Sequence, residues 1–216
     1  MIKTYIIVAA VSYLLGSIPF GYILVKLFLK QDIRETGSGN IGATNVARSG
    51  AKGLAVATLV LDAAKGIAAV FMVSLPIFGF RASAITACAL AALAAIIGHM
   101  FPIWLKFKGG KGVATGVGAF AALAPLAIGI ALLLFIGVVA ATRFVSLGSL
   151  VAAALFPVCA HFLSGYSGVP LLLMTAASLL IILKHHENIR RLLAGTENKF
   201  GGKKSVSPPG AMEKQA

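Results

Sequence analysis

The sequence predicts an all-α integral membrane protein of about seven transmembrane helices, some of them short, on three observations. Of its 216 residues 59% are hydrophobic and only 12% charged, with a mean hydropathy of +0.96. A soluble domain is nearer half apolar and a quarter charged. The apolar residues also fall into long runs separated by short polar stretches. Finally, those stretches hold the charge: 16 of the 19 Lys and Arg are Lys26 or lie in residues 30–52, 105–112, 142–149 and the C-terminal region. The net charge of +13 therefore fits the cytoplasmic excess of Lys and Arg in membrane proteins, not contact with nucleic acid. With Lys3 and Arg81 alone on the opposite face, the predicted N-terminus is outside and the C-terminus cytoplasmic.

The first run, 5–29, is too long for a signal peptide, and no cleavage site is followed by a soluble domain. It is expected to be a helix kinked near Pro19, with Lys26 snorkelling toward the polar end. The second span, 54–78, carries Asp62 and Lys65 three residues apart on one helix face. That pair either fixes packing by mutual neutralisation in hydrocarbon or serves a substrate. A turn at 78–82 contains Arg81, and a third span at 83–98 returns His99 to the original side. Shorter runs follow at 113–123, 126–141, 150–163 and 170–183. Several are below the ~20 residues of a full span, so they should tilt, stop short or flank a water-filled cavity. Residues 1–197 are expected to form the membrane domain and 198–216 a flexible basic tail. Cys88 and Cys159 lie within apolar runs and suggest neither a disulfide nor a metal site.

Three polar stretches are expected to meet on the cytoplasmic face as one site. In the first, residues 37–52, glycines free the backbone around the short hydrogen-bonding residues Ser38, Asn40, Thr44 and Asn45, beside the cation Arg48. Gly37-Ser38-Gly39-Asn40-Ile41-Gly42 formally matches a dinucleotide fingerprint, but an apolar span precedes it where a strand is required. In the second, Gly109-Gly110-Lys111-Gly112 offers backbone donors and an ammonium immediately before a helix, whose N-terminus favours anions. Gly110 and Lys111 are accordingly candidate phosphate binders. In the third, 184–197, His185 and Asn188 share one face of an amphipathic helix, with Ile189 and Leu192 toward lipid. On these residues alone His185 is a base, a phosphate donor or an interfacial side chain. Acidic residues are too few for a two-metal mechanism.

These stretches resemble the bacterial acyl-phosphate:glycerol-3-phosphate acyltransferases. The matching motifs are Ser38-Gly39-Asn40-Ile41-Gly42-Ala43-Thr44-Asn45-Val46-x-Arg48, Leu61-Asp62-x-x-Lys65-Gly66 and Gly98-His99-x-Phe101-Pro102. They continue with Phe107-Lys108-Gly109-Gly110-Lys111-Gly112-Val113-Ala114-Thr115 and with His185-x-x-Asn188-Ile189-x-Arg191-Leu192-x-x-Gly195-Thr196-Glu197. The resemblance implies a seven-span enzyme of the inner membrane and of phospholipid biosynthesis. It would move a fatty acyl group from acyl phosphate to the 1-hydroxyl of sn-glycerol 3-phosphate, giving lysophosphatidic acid and phosphate. It also implies that Ser38, Arg48 and Lys111 hold a phosphate, and that His185 and Asn188 stand at the reacting centre with Ser149, or less so Ser146, nearby. No cofactor, metal or coenzyme A is implied. The lipid bilayer and a soluble acyl-phosphate-forming acyltransferase are the implied partners.

Two rival classes can be weighed on the residues. A transporter or binding protein for an anionic phosphate-bearing solute would suit a basic glycine-rich site, but no repeat is evident and the charges lie at one face. A CDP-alcohol phosphotransferase needs a cluster of intramembrane aspartates, and Asp62 stands alone. The H-x-x-x-x-D pair of thioester-using acyltransferases is absent as well, since none of His99, His161, His185 and His186 has an Asp five residues on.

Overall fold

The computed structural model describes residues 2–75 and 84–201. The predicted turn at 78–82 and the tail from 202 onward lie outside the described residues. Ten α-helices run α1 Ile2–Gly16, α2 Phe20–Leu29, α3 Ala43–Arg48, α4 Lys52–Met72, α5 Ala84–Met100, α6 Val113–Leu123, α7 Pro125–Thr142, α8 Val145–Ser164, α9 Gly168–Leu183 and α10 His186–Leu193. There is no strand among the described residues, so the backbone polar groups in apolar surroundings are satisfied within helices, as hydrocarbon demands.

Five segments are long and apolar enough to cross a bilayer: Ile2–Leu29, Lys52–Met72, Ala84–Leu105, Pro125–Thr142 and Val145–Ser164. A sixth is α9 with α10, which bend by 53° at Lys184–His185. The remaining apolar helix, α6, has 11 residues and is about 16 Å long, roughly half of a ~30 Å hydrocarbon core. Only Ala124 separates α6 from the 18-residue α7. Helix α6 is thus about 10 Å shorter than α7. The cavity lined by Lys111 forms a recess at the N-terminus of α6.

The expected kink is a full break, with α1 ending at Gly16 and α2 starting at Phe20. Breaking a helix at proline frees carbonyls that need donors. One of them, Ile18 O, is taken by Lys65 Nζ from α4 at 2.8 Å. Close packing of small residues then locks the bundle, as in other membrane proteins. A Cβ at Gly16 would overlap the Ala95 backbone, and one at Gly98 the Tyr13 carbonyl, so α1 and α5 touch backbone to backbone. Gly66 against Thr115 and Gly118 against Ala63 do the same for α4 and α6. The main apolar core lies between α5, α6, α8 and α9, where Phe120 stacks on Phe156 with ring centroids 4.1 Å apart.

Two boundaries differ from the sequence expectation, the first being the end of α4, at Met72 within the span expected over 54–78. The polar break at 142–149 shrinks to Arg143 and Phe144, because α8 already begins at Val145. Arg143 closes α7 in the left-handed conformation (φ 63°), and Ser149 satisfies itself by donating to Val145 O at 2.9 Å. Ser146 and Ser149 therefore stand on the first turns of a helix. Beyond the predicted domain end, the Phe200 backbone pairs with Arg143 in both directions, N–H to O at 2.7 Å and O from Nη2 at 2.9 Å.

Candidate active site

The glycine-rich stretch is folded by one side chain. Asn45, buried on α3, donates its amide to the carbonyls of Ile33 (3.1 Å), Thr36 (3.0 Å) and Asn40 (2.8 Å) and accepts the Ser38 N–H at 2.8 Å. Its hydrogen-bonding capacity is spent on the loop, whose Gly37 and Gly39 adopt φ of 59° and 68°. Asn40 likewise turns inward and accepts the Gly42 N–H at 2.9 Å. What the loop offers outward is different: the hydroxyls of Ser38 and Thr44 and the half-buried Arg48 guanidinium have no partner among the described residues.

The second stretch folds back on the end of α5. Phe107 N–H donates to Pro102 O at 3.0 Å, Gly109 N–H to Met100 O at 3.2 Å and Gly110 N–H to His99 O at 3.0 Å. This hairpin delivers Lys111 and the N-terminus of α6 to the same cavity. Gly110 is excluded from it: a Cβ there would overlap the His99 imidazole, so this glycine permits packing, and its N–H is already donated. Its expected role as a phosphate donor is not what its position offers.

The third stretch supplies a polar chain. Lys111 Nζ donates to Asn188 Oδ1. Asn188 Nδ2 donates to Glu197 Oε1 at 2.8 Å, as does Ser146 Oγ at 3.0 Å, and Arg191 Nε donates to Glu197 Oε2 at 2.8 Å. Glu197 is thus the buried hub of the site. Glu197 is assigned no role by sequence alone, although it closes the third stretch, because nine residues and a helix end separate it from Asn188. Only the turn after α10, with Gly195 at φ 69°, brings it back. His185, 3% exposed, sits at the α9–α10 bend with Nδ1 2.7 Å from Ile181 O. A carbonyl only accepts, so Nδ1 carries the proton and Nε2 keeps its lone pair.

These groups surround a cavity of about 160 Å³, lined also by Ser149, Asp62 and His99. Every predicted site residue except Gly110 lines it, although Asn45 and Asn40 act as builders of the wall. Arg48, Lys111 and the neighbouring Arg191 influence one another's charge there, opposed by Glu197 and, at Lys111, also by Glu187. Burial, with the charges of Arg191 and Arg48, pushes the Lys111 ammonium down to about 8. Burial also lowers the Arg48 guanidinium, helped by Arg191 and opposed by Glu197. Burial would raise the Glu197 carboxyl, but hydrogen bonds from Arg191, Asn188 and Ser146 hold it below its ordinary value.

A short-helix recess holding an excess of cations under a hydroxyl-bearing loop, among apolar helices, defines a membrane-embedded protein that acts on an anionic head group at an apolar interface. The profile of the family described as glycerol-3-phosphate acyltransferase matches residues 6–195. The chain is 50% identical over 207 residues to the glycerol-3-phosphate acyltransferase of Rhodopseudomonas palustris (strain HaA2), covering 94% of this chain and 100% of that one. It is 48% identical over 194 residues to that of Sinorhizobium fredii (strain NBRC 101917 / NGR234), covering 90% and 91%. It also superposes on the crystal structure of PlsY, an integral membrane glycerol 3-phosphate acyltransferase in its glycerol 3-phosphate form. There the TM-score is 0.82 at 37% identity, with 91% of this chain and 96% of that chain covered. The lysophosphatidic acid form of PlsY matches with a TM-score of 0.80. The chain belongs to the glycerol-3-phosphate acyltransferase family and is an integral membrane acyltransferase of phospholipid biosynthesis.

Proposed function

We propose that the protein transfers a fatty acyl group from acyl phosphate to the 1-hydroxyl of sn-glycerol 3-phosphate, releasing lysophosphatidic acid and phosphate at the cytoplasmic face of the inner membrane. In this reading the short α6 counts as the seventh span and the N-terminus lies outside. The observation that carries it is the charge balance of the cavity: Glu197 is paired with Arg191 and Asp62 with Lys65, which leaves Arg48 and Lys111, two positive charges, to meet a phosphate dianion. Related proteins solved with glycerol 3-phosphate and with lysophosphatidic acid support the acceptor and the product.

In the reaction, the 1-hydroxyl oxygen forms a bond to the acyl carbonyl carbon, and the bond from that carbon to the phosphate oxygen breaks. The hydroxyl proton passes to the departing phosphate, which leaves as hydrogen phosphate. Acyl phosphate is already activated, so holding the reactants together and stabilising charge can supply most of the acceleration. The departing phosphate oxygen gains basicity as its bond to the acyl carbon breaks, which favours proton transfer to the donor's own phosphate. His185 Nε2 and Asn188 then orient the hydroxyl and the donor.

The test is phosphate release and lysophosphatidate formation by purified protein given acyl phosphate and glycerol 3-phosphate, without metal or coenzyme A, from pH 5 to 9. Equimolar products are expected, with no histidine ionisation near 6.5 in the rate profile. A wild-type ionisation near 6.5 that vanishes in His185→Ala together with the activity would make His185 the base and defeat this order of roles.

Lys111 also predicts a pH dependence of binding. In the empty site its ammonium titrates at about 8, and a bound phosphate dianion must raise that value. Affinity for glycerol 3-phosphate is therefore full below pH 8 and declines as pH rises through the raised value. Calorimetric titration at pH 8.5 in two buffers of different ionisation enthalpy should show proton uptake, because the phosphate itself is fully dianionic there. Lys111→Arg should abolish the uptake; equal heats for the wild type would refute it.

A further inference from the structure

The mechanism above leaves Asp62 without a task, yet this residue lines the cavity. It is 2% exposed and comes from the middle of α4, an apolar helix long enough to cross the bilayer. Lys65 Nζ lies 2.8 Å from Asp62 Oδ1, which neutralises the charge. The aligned hydrogen bonds of that ammonium, however, go to Ile18 O at 2.8 Å and His99 Nδ1 at 3.1 Å. Because His99 Nδ1 accepts from Lys65, its proton is on Nε2, and Nδ1, 3.6 Å from Asp62 Oδ1, has none to give the carboxylate. The Lys65 ammonium is thus shared among three acceptors, and Asp62 Oδ1 has no well-aligned hydrogen bond of its own among the described residues. A buried carboxylate with accepting capacity left over gains from a further O–H or N–H donor.

The same lining carries two kinds of recognition. Arg48 and Lys111 attract phosphate, whereas Asp62, its charge balanced by Lys65, offers acceptors to hydroxyls and no donor to a phosphate. We propose that Asp62 is the residue that orients the acceptor, its carboxylate taking the hydrogen bond of the 2-hydroxyl of glycerol 3-phosphate while Arg48 and Lys111 take the phosphate. This rests on the function proposed above. It gives the site a polarity: a phosphate bound in reverse would face a carboxylate, so the 1-hydroxyl is presented in one sense only. Lys65 is the positioning partner, tying Asp62 to the break between α1 and α2, and His99 ties the pair to the loop of Lys111 through Gly110. Asp62, Lys65 and His99 thus link both walls of the cavity without meeting the phosphate.

The test compares glycerol 3-phosphate with propane-1,3-diol monophosphate, which keeps the reacting hydroxyl and lacks the 2-hydroxyl. The wild type should prefer glycerol 3-phosphate by about 100-fold or more in kcat/KM, as sites built to bind a hydroxyl reject its absence. Asp62→Asn should lower kcat/KM for glycerol 3-phosphate toward the analogue's value while changing the analogue by less than about threefold. Asp62→Glu, which retains the charge beside Lys65, should lose the same discrimination if Asp62→Asn does not fold. Equal use of both substrates by the wild type, or an equal fall on both in the variants, would overturn the proposal and leave the acyltransferase reading intact. Failure of the wild type to acylate either substrate would instead defeat that reading.

Discussion

Replacing Lys111 with methionine is expected to lower kcat/KM by about 10² to 10³-fold, with the protein still folded. The magnitude is that of removing one preorganised donor from a charge-stabilising site. Three features of Lys111 place it at that end of the range. Its ammonium donates to Asn188 Oδ1, which fixes the amide that in turn binds Glu197. It stands at the recessed start of α6, so water screens it less than a surface lysine. Burial, with Arg191 and Arg48 nearby, also holds its value near 8, so an arriving phosphate dianion would stabilise its charge strongly. Lys111→Arg should restore only part of the activity, because a planar fork cannot occupy the place of a compact ammonium on a buried amide oxygen. Lys106 and Lys108 lie exposed on the same hairpin and line no part of this cavity. Methionine at either should change kcat/KM by less than about twofold. A tenfold or greater loss at Lys108 would mean that general basicity of the loop, not one ammonium, holds the substrate.

Much of this arrangement was legible in the sequence because hydropathy and glycine clustering act locally. The spans at α4, α5, α6 and α9 and the break at Pro19 follow from residues close together in the chain, and the convergence of the three polar stretches follows from their lying at the same end of successive spans. What was not legible depends on partners far apart. Asn45 reads as one more hydrogen-bonding side chain of a cradle until its four contacts show that it builds the loop. Gly110 reads as a flexible phosphate donor until the His99 ring is seen filling the space where a side chain would go. The Asp62–Lys65 pair is readable as an i, i+3 neighbour, but its link to Ile18, 47 residues before Lys65, is not. The start of α8 was placed too late because serines suggest a loop, whereas Ser146 and Ser149 find acceptors in Glu197 and Val145.

Glu197→Ala is expected to be the most damaging single change in stability, at roughly 3 kcal/mol or more, with activity reduced at least about 100-fold. The side chain is 2% exposed and receives Asn188, Ser146 and Arg191. Its loss leaves the buried Asn188 amide without that acceptor and the Arg191 guanidinium, 30% exposed, without its main partner. Arg191 keeps only a longer contact to Glu187 at 3.8 Å, and Asn188 is no longer held beneath Lys111. Glu197→Gln separates the two consequences. Its oxygen can still accept from Asn188 and Ser146, but its amide meets Arg191 donor to donor, so an intermediate loss of stability is expected. The carboxyl also has a folded pKa below its ordinary 4.5, so its contribution is fully present above 4.5 and is lost as pH falls through the folded value. Thermal unfolding of the detergent-purified protein should therefore show a weaker acid limb in Glu197→Gln than in the wild type. Unfolding curves that coincide for the two proteins at neutral and at acid pH would remove Glu197 from the centre of the site and leave Lys111 and Asn188 supported from elsewhere.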